Sequence, residues 1–286
     1  MRVCVTGAAG RLGSATVKAL VEAGHDVVAV DHSFRTDLPV PVRLVDLCEP
    51  LGIINACVGC DALAHFANHP HNLAGHEQRV YRENCAMNVH AFEAARQTGV
   101  KVVLFASSVQ AMSGHPGGWD APAQMNIPYL PIDGDVPPLP MNAYAASKVA
   151  GETLLQCYVR SVGFAGVALR FPQLMDPRWL EHFRRRHGPR GIGNPTEAFA
   201  FLWFGDAGRL VAHIVARPPA PGQYRCHFPA DPTPSNGRPV AELLDQHFAG
   251  IPRKNAAVTT HADRETDPTL LDPTADEPQQ QQQQQQ

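Results

Sequence analysis

Arg2-Val3-Cys4-Val5-Thr6-Gly7-Ala8-Ala9-Gly10-Arg11-Leu12-Gly13 opens on a strand-like apolar run that breaks at Thr6 into a glycine-rich turn. Behind it, Arg11 to Ala23 carries apolar residues at helical spacing. Strand, glycine turn and helix together begin a β-α-β unit. Glycines at such a turn permit a tight bend, close approach of a pyrophosphate to backbone amides, and close helix-to-strand packing, while the helix N-terminus adds positive dipole. An ordinary strand-to-helix turn has the same composition. Asp31 decides between the two, because it follows Gly13 by 18 residues at the end of the second strand, near where the ribose-binding acid of a dinucleotide site belongs.

The same alternation continues outward. Val3 to Val5, Val27 to Val30, Val42 to Val45, Ala62 to Phe66, Val102 to Phe105 and Val167 to Arg170 read as buried strands. Helix-like stretches lie at Arg11 to Ala23, Leu51 to Val58, Glu77 to Thr98 and Ala143 to Ser161. The pattern predicts an α/β fold, a doubly wound parallel sheet of Rossmann type covered on both faces. Residues 1–170 form the dinucleotide-binding domain in this reading. Residues 171–255 form a small substrate lobe of irregular order, with helices near Asp206 to Ala216 and Pro239 to Phe248. Residues 256–286, with acidic residues, prolines and eight terminal glutamines, are too poor in apolar side chains to fold and are read as a tail. The proline-rich segment Gly114 to Asn142 is read as a substrate-side loop.

Composition removes several function classes. The chain has 286 residues, 44% apolar and 18% charged, with a formal net charge of −3. No run approaches the ~18 apolar residues that span a bilayer, and no basic block is large enough to cover phosphates, so neither membrane nor nucleic acid is expected as a partner. After Met1 and Arg2 no secretory signal pattern follows, and a cytoplasmic location is expected. Seven scattered cysteines read as reduced thiols. Cys57 and Cys60 form a lone CxxC without a second pair or a His at finger-like spacing, and of His65, His69 and His71 the first ends a strand and the others fall in the following loop, so no metal is expected.

Tyr144 and Lys148 are four residues apart on a predicted helix, so they share one face. A free phenol titrates near pH ~10, and an adjacent ammonium stabilises the phenolate, which makes the pair usable for proton transfer near neutrality. Ser108, at the end of the fifth strand, is placed to hydrogen-bond an oxygen whose charge changes during hydride transfer. Asp31 favours NAD over NADP, since a carboxylate bonds a ribose 2′-hydroxyl but repels a 2′-phosphate. Arg35 nearby leaves NADP open.

With these residues the chain resembles an extended short-chain dehydrogenase/reductase, the NAD-dependent epimerase/dehydratase family. The likeness runs from about Arg2 to Lys254. It rests on Thr6 to Gly13, Asp31, Asp46-Leu47, His65-Phe66-Ala67, Asn84, Ser107-Ser108, and Tyr144-Ala145-Ala146-Ser147-Lys148 followed by Gly151-Glu152. The resemblance implies that Gly7, Gly10, Arg11, Leu12 and Gly13 cradle the pyrophosphate, that Asp31 holds the adenosine ribose, and that Asp46 and Leu47 flank the adenine. Phe66 and Ala67 would line the cofactor cleft, Asn84 would support it, and Phe171 and Pro172 would contact the nicotinamide. Ser108, Tyr144 and Lys148 would be the catalytic set, Lys148 also bonding the nicotinamide ribose. Counting back from Gly114 instead of forward from the strand puts Val109 at the serine's place. Pro172-Gln173-Leu174-Met175 lacks the asparagine and the Tyr-Gly-Pro common in nucleotide-sugar enzymes. A homodimer through the helices around Glu77 to Thr98 and Ala143 to Ser161 is implied as well.

The reading is thus an NAD-dependent oxidoreductase acting on a sugar-like or uronate-like hydroxyl. Two alternatives stand beside it: a nucleotide-sugar epimerase or dehydratase in which the cofactor is reduced only transiently, and a non-catalytic dinucleotide-binding sensor. The cluster Arg184 to Arg186 with Arg190 is either a site for a substrate anion or a solvated face.

Overall fold

The computed structural model describes residues 1–113, 127–187, 198–232, 234 and 237–254. Strands β1 (Arg2–Thr6), β2 (Asp26–Asp31), β3 (Val42–Leu44), β4 (Ala62–His65), β5 (Val102–Ser108) and β6 (Ala165–Phe171) alternate with helices α1 (Arg11–Glu22), α2 (Pro50–Cys57), α3 (Glu77–Thr98), α4 (Gln110–Ser113) and α5 (Ala143–Val162). The central sheet is seven-stranded and parallel, in the order β3-β2-β1-β4-β5-β6-β9, with β9 (Tyr224–His227) at the far edge. The predicted doubly wound α/β fold is what forms.

Strand alternation sorts the core into two layers. Val3 and Val5 of β1 face one side, among Val17 and Leu20 of α1 and Leu210, Val211 and Ile214 of α7 (Phe204–Ala216). Cys4 faces the other, with Ile53 and Cys57 of α2, Phe92 of α3 and Leu155 of α5. A strand buried on both faces reads as an unbroken apolar run, which is why β1, β4 and β5 stood out in the sequence.

Beyond β6 the chain is more ordered than its sequence suggests. β7 (Gln173–Met175) and β8 (Phe201–Trp203) form a separate two-stranded parallel sheet, with α6 (Pro177–His187) between them in sequence. The chain then returns to the main body: α7 packs along α1, and β9 pairs with β6. Helix α8 (Val240–His247) follows.

The proline-rich segment falls in two. Residues 114–126 lie outside the described residues. Ile127, Leu130, Ile132 and Val136 are buried in a third cluster with Val109, Met112, Phe199, Phe228, Leu243 and Phe248. Backbone bonds tie Leu130 to Pro252 and Lys254, and the Lys254 ammonium pairs with the buried Asp133 carboxylate. The tail reading of 256–286 also falls outside the described residues, as do Arg190 and the side chains of Arg184 and Arg186. Arg185 is exposed and pairs with Glu181. Among the described residues no helix is long and apolar enough to cross a membrane.

Candidate active site

The site gathers at the carboxyl ends of β1, β2, β4, β5 and β6, the edge where ligands bind in open parallel sheets. Gly7 sits at the first turn with φ of 70°. A Cβ on Gly7 would lie 2.9 Å from the Ala67 nitrogen, and one on Gly13 would lie 2.0 Å from the Gly7 oxygen. The turn therefore admits no side chain at either place, and Phe66 and Ala67 stand directly against it. Gly10 caps α1 without a side-chain hydrogen bond, and the first turn of the helix holds no acidic residue. The N–H groups of Ala8, Ala9 and Gly10 are bonded within the protein, to Val30, Asp31 and Gly7, so the place for an anion is the positive end of the helix at the first turn of α1.

Asp31, only 5% exposed, bonds the same loop. Its Oδ2 accepts from the Ala9 N–H at 2.9 Å and its Oδ1 from the Ser33 N–H at 2.9 Å. Arg35 reaches the loop from the other side, donating from Nη1 to the Ala9 oxygen at 3.0 Å. Its remaining donors make a fork on the Asp37 carboxylate, 2.6 and 3.0 Å long, and that arginine holds the exposed Asp37 carboxyl down to about 2. Asp46 is exposed, its Oδ1 accepting from the Cys48 N–H, while Leu47 is buried and its carbonyl oxygen contacts His90 Nδ1 at 2.8 Å.

Lys148 is buried on α5 under Tyr144, which is itself 6% exposed. The Nζ donates to Asn68 Oδ1 and to the Ala106 oxygen, both at 2.8 Å, and lies 5.5 Å from the centre of the Tyr144 ring. Burial brings the ammonium down to about 7, opposed by the Glu152 charge.

Behind Asn68 runs a closed hydrogen-bond chain. Asn68 Nδ2 donates to Asn88 Oδ1 at 3.1 Å, His65 Nε2 meets the same oxygen at 3.0 Å, and His65 Nδ1 meets Thr6 Oγ1 at 2.8 Å. Burial first, and the Lys148 charge besides, depress His65 to about 3, so the ring is neutral. The partners assign its tautomer. Asn88 Oδ1 can only accept, so Nε2 carries the proton and Nδ1 accepts from the Thr6 hydroxyl. Thr6 Oγ1 in turn accepts from the Phe66 and Ala67 N–H groups. The glycine loop, the β4 turn and Lys148 are thus one connected unit. Both ring nitrogens of His65 are engaged by it, and His69 pairs with Glu83.

Asn84 joins α3 to α5: its Nδ2 donates to Ser147 Oγ at 2.9 Å, and Ser147 Oγ donates to the backbone carbonyl oxygen of Tyr144 at 2.7 Å. The two serines ending β5 divide their work. Ser107 donates to Glu152 Oε1 at 2.5 Å, and Arg170 forks onto the same carboxylate while its Nη1 bonds the oxygens of Gly134 and Val136. Ser108 points to the opposite face, as alternation requires, and its Oγ accepts from the Gln110 N–H at 3.2 Å. Gln110 Oε1 accepts from Asn142, whose own oxygen caps α5 by accepting from the Ala145 N–H. Val109 is an apolar member of the third cluster and has no group to offer an oxygen. Phe171, opposite Ser108 in the β5–β6 register, and Pro172 are both buried. Sequence reading missed Asn68, Asn88, Gln110 and the Glu152–Arg170 pair, because polar contacts 18 to 80 residues apart have no spacing signature.

Comparison with known proteins gives a consistent picture. A model of the NAD dependent epimerase/dehydratase family matches residues 3–212. The chain is 29% identical over 180 residues to a UDP-glucose 4-epimerase of Corynebacterium glutamicum, covering 60% of this chain and 50% of that protein. It is 30% identical over 186 residues to a uronate dehydrogenase of Pseudomonas putida, covering 63% and 65%. A solved UDP-galactose 4-epimerase superposes with a TM-score of 0.62 at 27% identity, covering 81% and 78%. The chain spans about half the length of the UDP-glucose 4-epimerases of Corynebacterium glutamicum, Azospirillum brasilense and Lacticaseibacillus casei.

Proposed function

The chain belongs to the NAD dependent epimerase/dehydratase family, and from that premise we propose that it is an NAD-dependent oxidoreductase of a sugar-like or uronate-like hydroxyl compound. One observation carries the reading: a buried lysine held at 2.8 Å by Asn68 and by the end of β5, directly beneath a tyrosine and wired to the glycine loop. A binding module without chemistry has no use for a desolvated ammonium against a phenol.

The residues fit a dinucleotide. The loop around Gly7, Gly10 and Gly13, with Arg11 and Leu12 beginning α1, offers the positive end of that helix to the pyrophosphate, and Asp31 faces the adenosine ribose. Asp46 and Leu47 would border the adenine, Phe66 and Ala67 the cleft, with Asn84 behind, and Phe171 and Pro172 the nicotinamide. NAD is favoured over NADP because Asp31 presents a carboxylate while the Arg35 charge is spent on Asp37. A nicotinamide held there would supply an acceptor for the hydride of the substrate carbon. Tyr144 takes the hydroxyl proton, the Lys148 ammonium stabilises its phenolate, and Ser108 holds the substrate oxygen. Residues 1–170 would carry the cofactor and 171–255 the substrate.

Net oxidation is supported by the likeness to the uronate dehydrogenase, 30% identical over 186 residues. The epimerase or dehydratase reading keeps the same residues and differs only in returning the hydride, and similarity to the UDP-glucose 4-epimerases speaks for it. A homodimer through α3 and α5 belongs to the proposal. The two helices pack together and leave Tyr81, Val89 and Val162 exposed. So does a cytoplasmic setting, supported by seven free cysteines. The Tyr144→Phe variant should bind NAD as the native protein does and lose about 10²–10⁴-fold in kcat. A variant of native kcat would leave the tyrosine no role in proton transfer.

A further inference from the structure

Arg11 is oddly placed for an arginine. It is the first residue of α1, where the helix dipole opposes a positive charge, and it is exposed. Among the described residues it pairs with no carboxylate. Its guanidinium carbon lies instead 4.9 Å from the centre of the Trp179 ring and 5.4 Å from that of Phe204. A guanidinium resting on aromatic faces keeps its charge and its in-plane donors, whereas one forked on a carboxylate, as Arg35 is, has spent both.

The two rings come from elements that flank the glycine loop. Phe204 begins α7, which is pressed on α1 so closely that a Cβ on Gly208 would lie 2.7 Å from the Ala15 oxygen. Trp179 lies in the first turn of α6, its backbone N–H donating to Asp176 Oδ1 at 2.7 Å and its ring stacked on His182. Beneath it, Leu180 packs with Met175, Phe201 and Trp203 of the small sheet. Besides the packing of α7 on α1, the lobe thus meets the first residue of α1 through Trp179 of α6.

We propose that Trp179 and Phe204 are positioning residues that hold the Arg11 guanidinium over the dinucleotide diphosphate. The inference rests on the dinucleotide reading of the loop. The ligand chemistry is a diphosphate at the α1 N-terminus, met by the positive helix end from below and by the aromatic-held guanidinium from above. Adenosine, which lacks the diphosphate, would not engage it.

The test is a double-mutant cycle on the full chain, titrated with ADP-ribose and with adenosine, following intrinsic fluorescence. Trp179→Leu should weaken ADP-ribose about fivefold, the size of an exposed-to-desolvated cation–π contact, and leave adenosine unchanged. Trp179→Phe should restore most of that loss. Arg11→Leu should weaken ADP-ribose about tenfold, and adding Trp179→Leu to it should weaken binding no further, because the ring acts through the arginine. The native fluorescence change on ADP-ribose should contain a component absent from Trp179→Phe. Losses at the two positions that simply multiply, or equal losses for adenosine, would overturn the proposal and leave Trp179 a packing residue. A native protein that binds adenosine but gains nothing from the diphosphate would overturn the dinucleotide reading first.

Discussion

Lys148 shows at the scale of one residue how the fold sets chemistry. In an unfolded chain its ammonium would titrate near ~10.4, and burial brings it to about 7. Between those values the unfolded chain binds the proton and the folded protein does not, so stability rises with pH across that window. Lys148→Met removes the buried ammonium but takes its donor from both Asn68 Oδ1 and the Ala106 carbonyl oxygen. A net gain of about 1–3 kcal/mol is expected below pH 7, shrinking towards pH 10, with catalysis abolished. Urea unfolding at pH 6 and pH 9.5 checks this, and a gain equal at both values would contradict it. Arg35 gives a second case. With the Asp37 carboxylate removed, its fork is open beside Ala9 and Asp31, so Asp37→Ala should raise kcat/KM for NADP relative to NAD by about tenfold. An unchanged cofactor ratio in steady-state kinetics would place Arg35 away from the ribose. Gly7, Gly13, Asp31, Tyr144 and Lys148 were legible in the sequence because each sits at a spacing that chemistry demands. Asn68 was not, since it meets Lys148 across 80 residues of chain.

Among the elements, the strands that declared themselves are those buried on both faces. β1, β4, β5 and β6 read as continuous apolar runs for that reason. β9 did not, because an edge strand of sequence Tyr-Arg-Cys-His is only half buried and mixes polar with apolar residues. β7 and β8 have three residues each, too few for any period to show. What binds β5, β6 and α5 at the site is also invisible in a pattern: Glu152, 3% exposed, takes Ser107 and the Arg170 fork, and Arg170 carries the turn at Gly134 and Val136. Glu152→Gln leaves the buried guanidinium without its counter-charge. A loss of about 3 kcal/mol is expected in denaturant unfolding. A loss under about 1 kcal/mol would mean that the pair is solvated and does not brace the site.

The molecule as a whole is a parallel sheet with its candidate site along the carboxyl ends of the strands, and that much follows from the β-α alternation and the glycine turn. The return of the chain after β6 does not, because residues 204–227 rejoin the main body through packing on α1 and pairing with β6 rather than through any local signal. That return brings the lobe, the glycine loop and the Tyr144–Lys148 pair within one frame. The function proposed for that frame is hydride transfer from a small hydroxyl compound to NAD. The most direct test is nicotinamide absorbance on mixing the protein and NAD with a panel of free sugars, uronates and nucleotide sugars. NADH that builds up with a small sugar or uronate is the result predicted. No change with any of them, in protein shown to be saturated with NAD, would contradict net oxidation and turn the search to isomerised or dehydrated products.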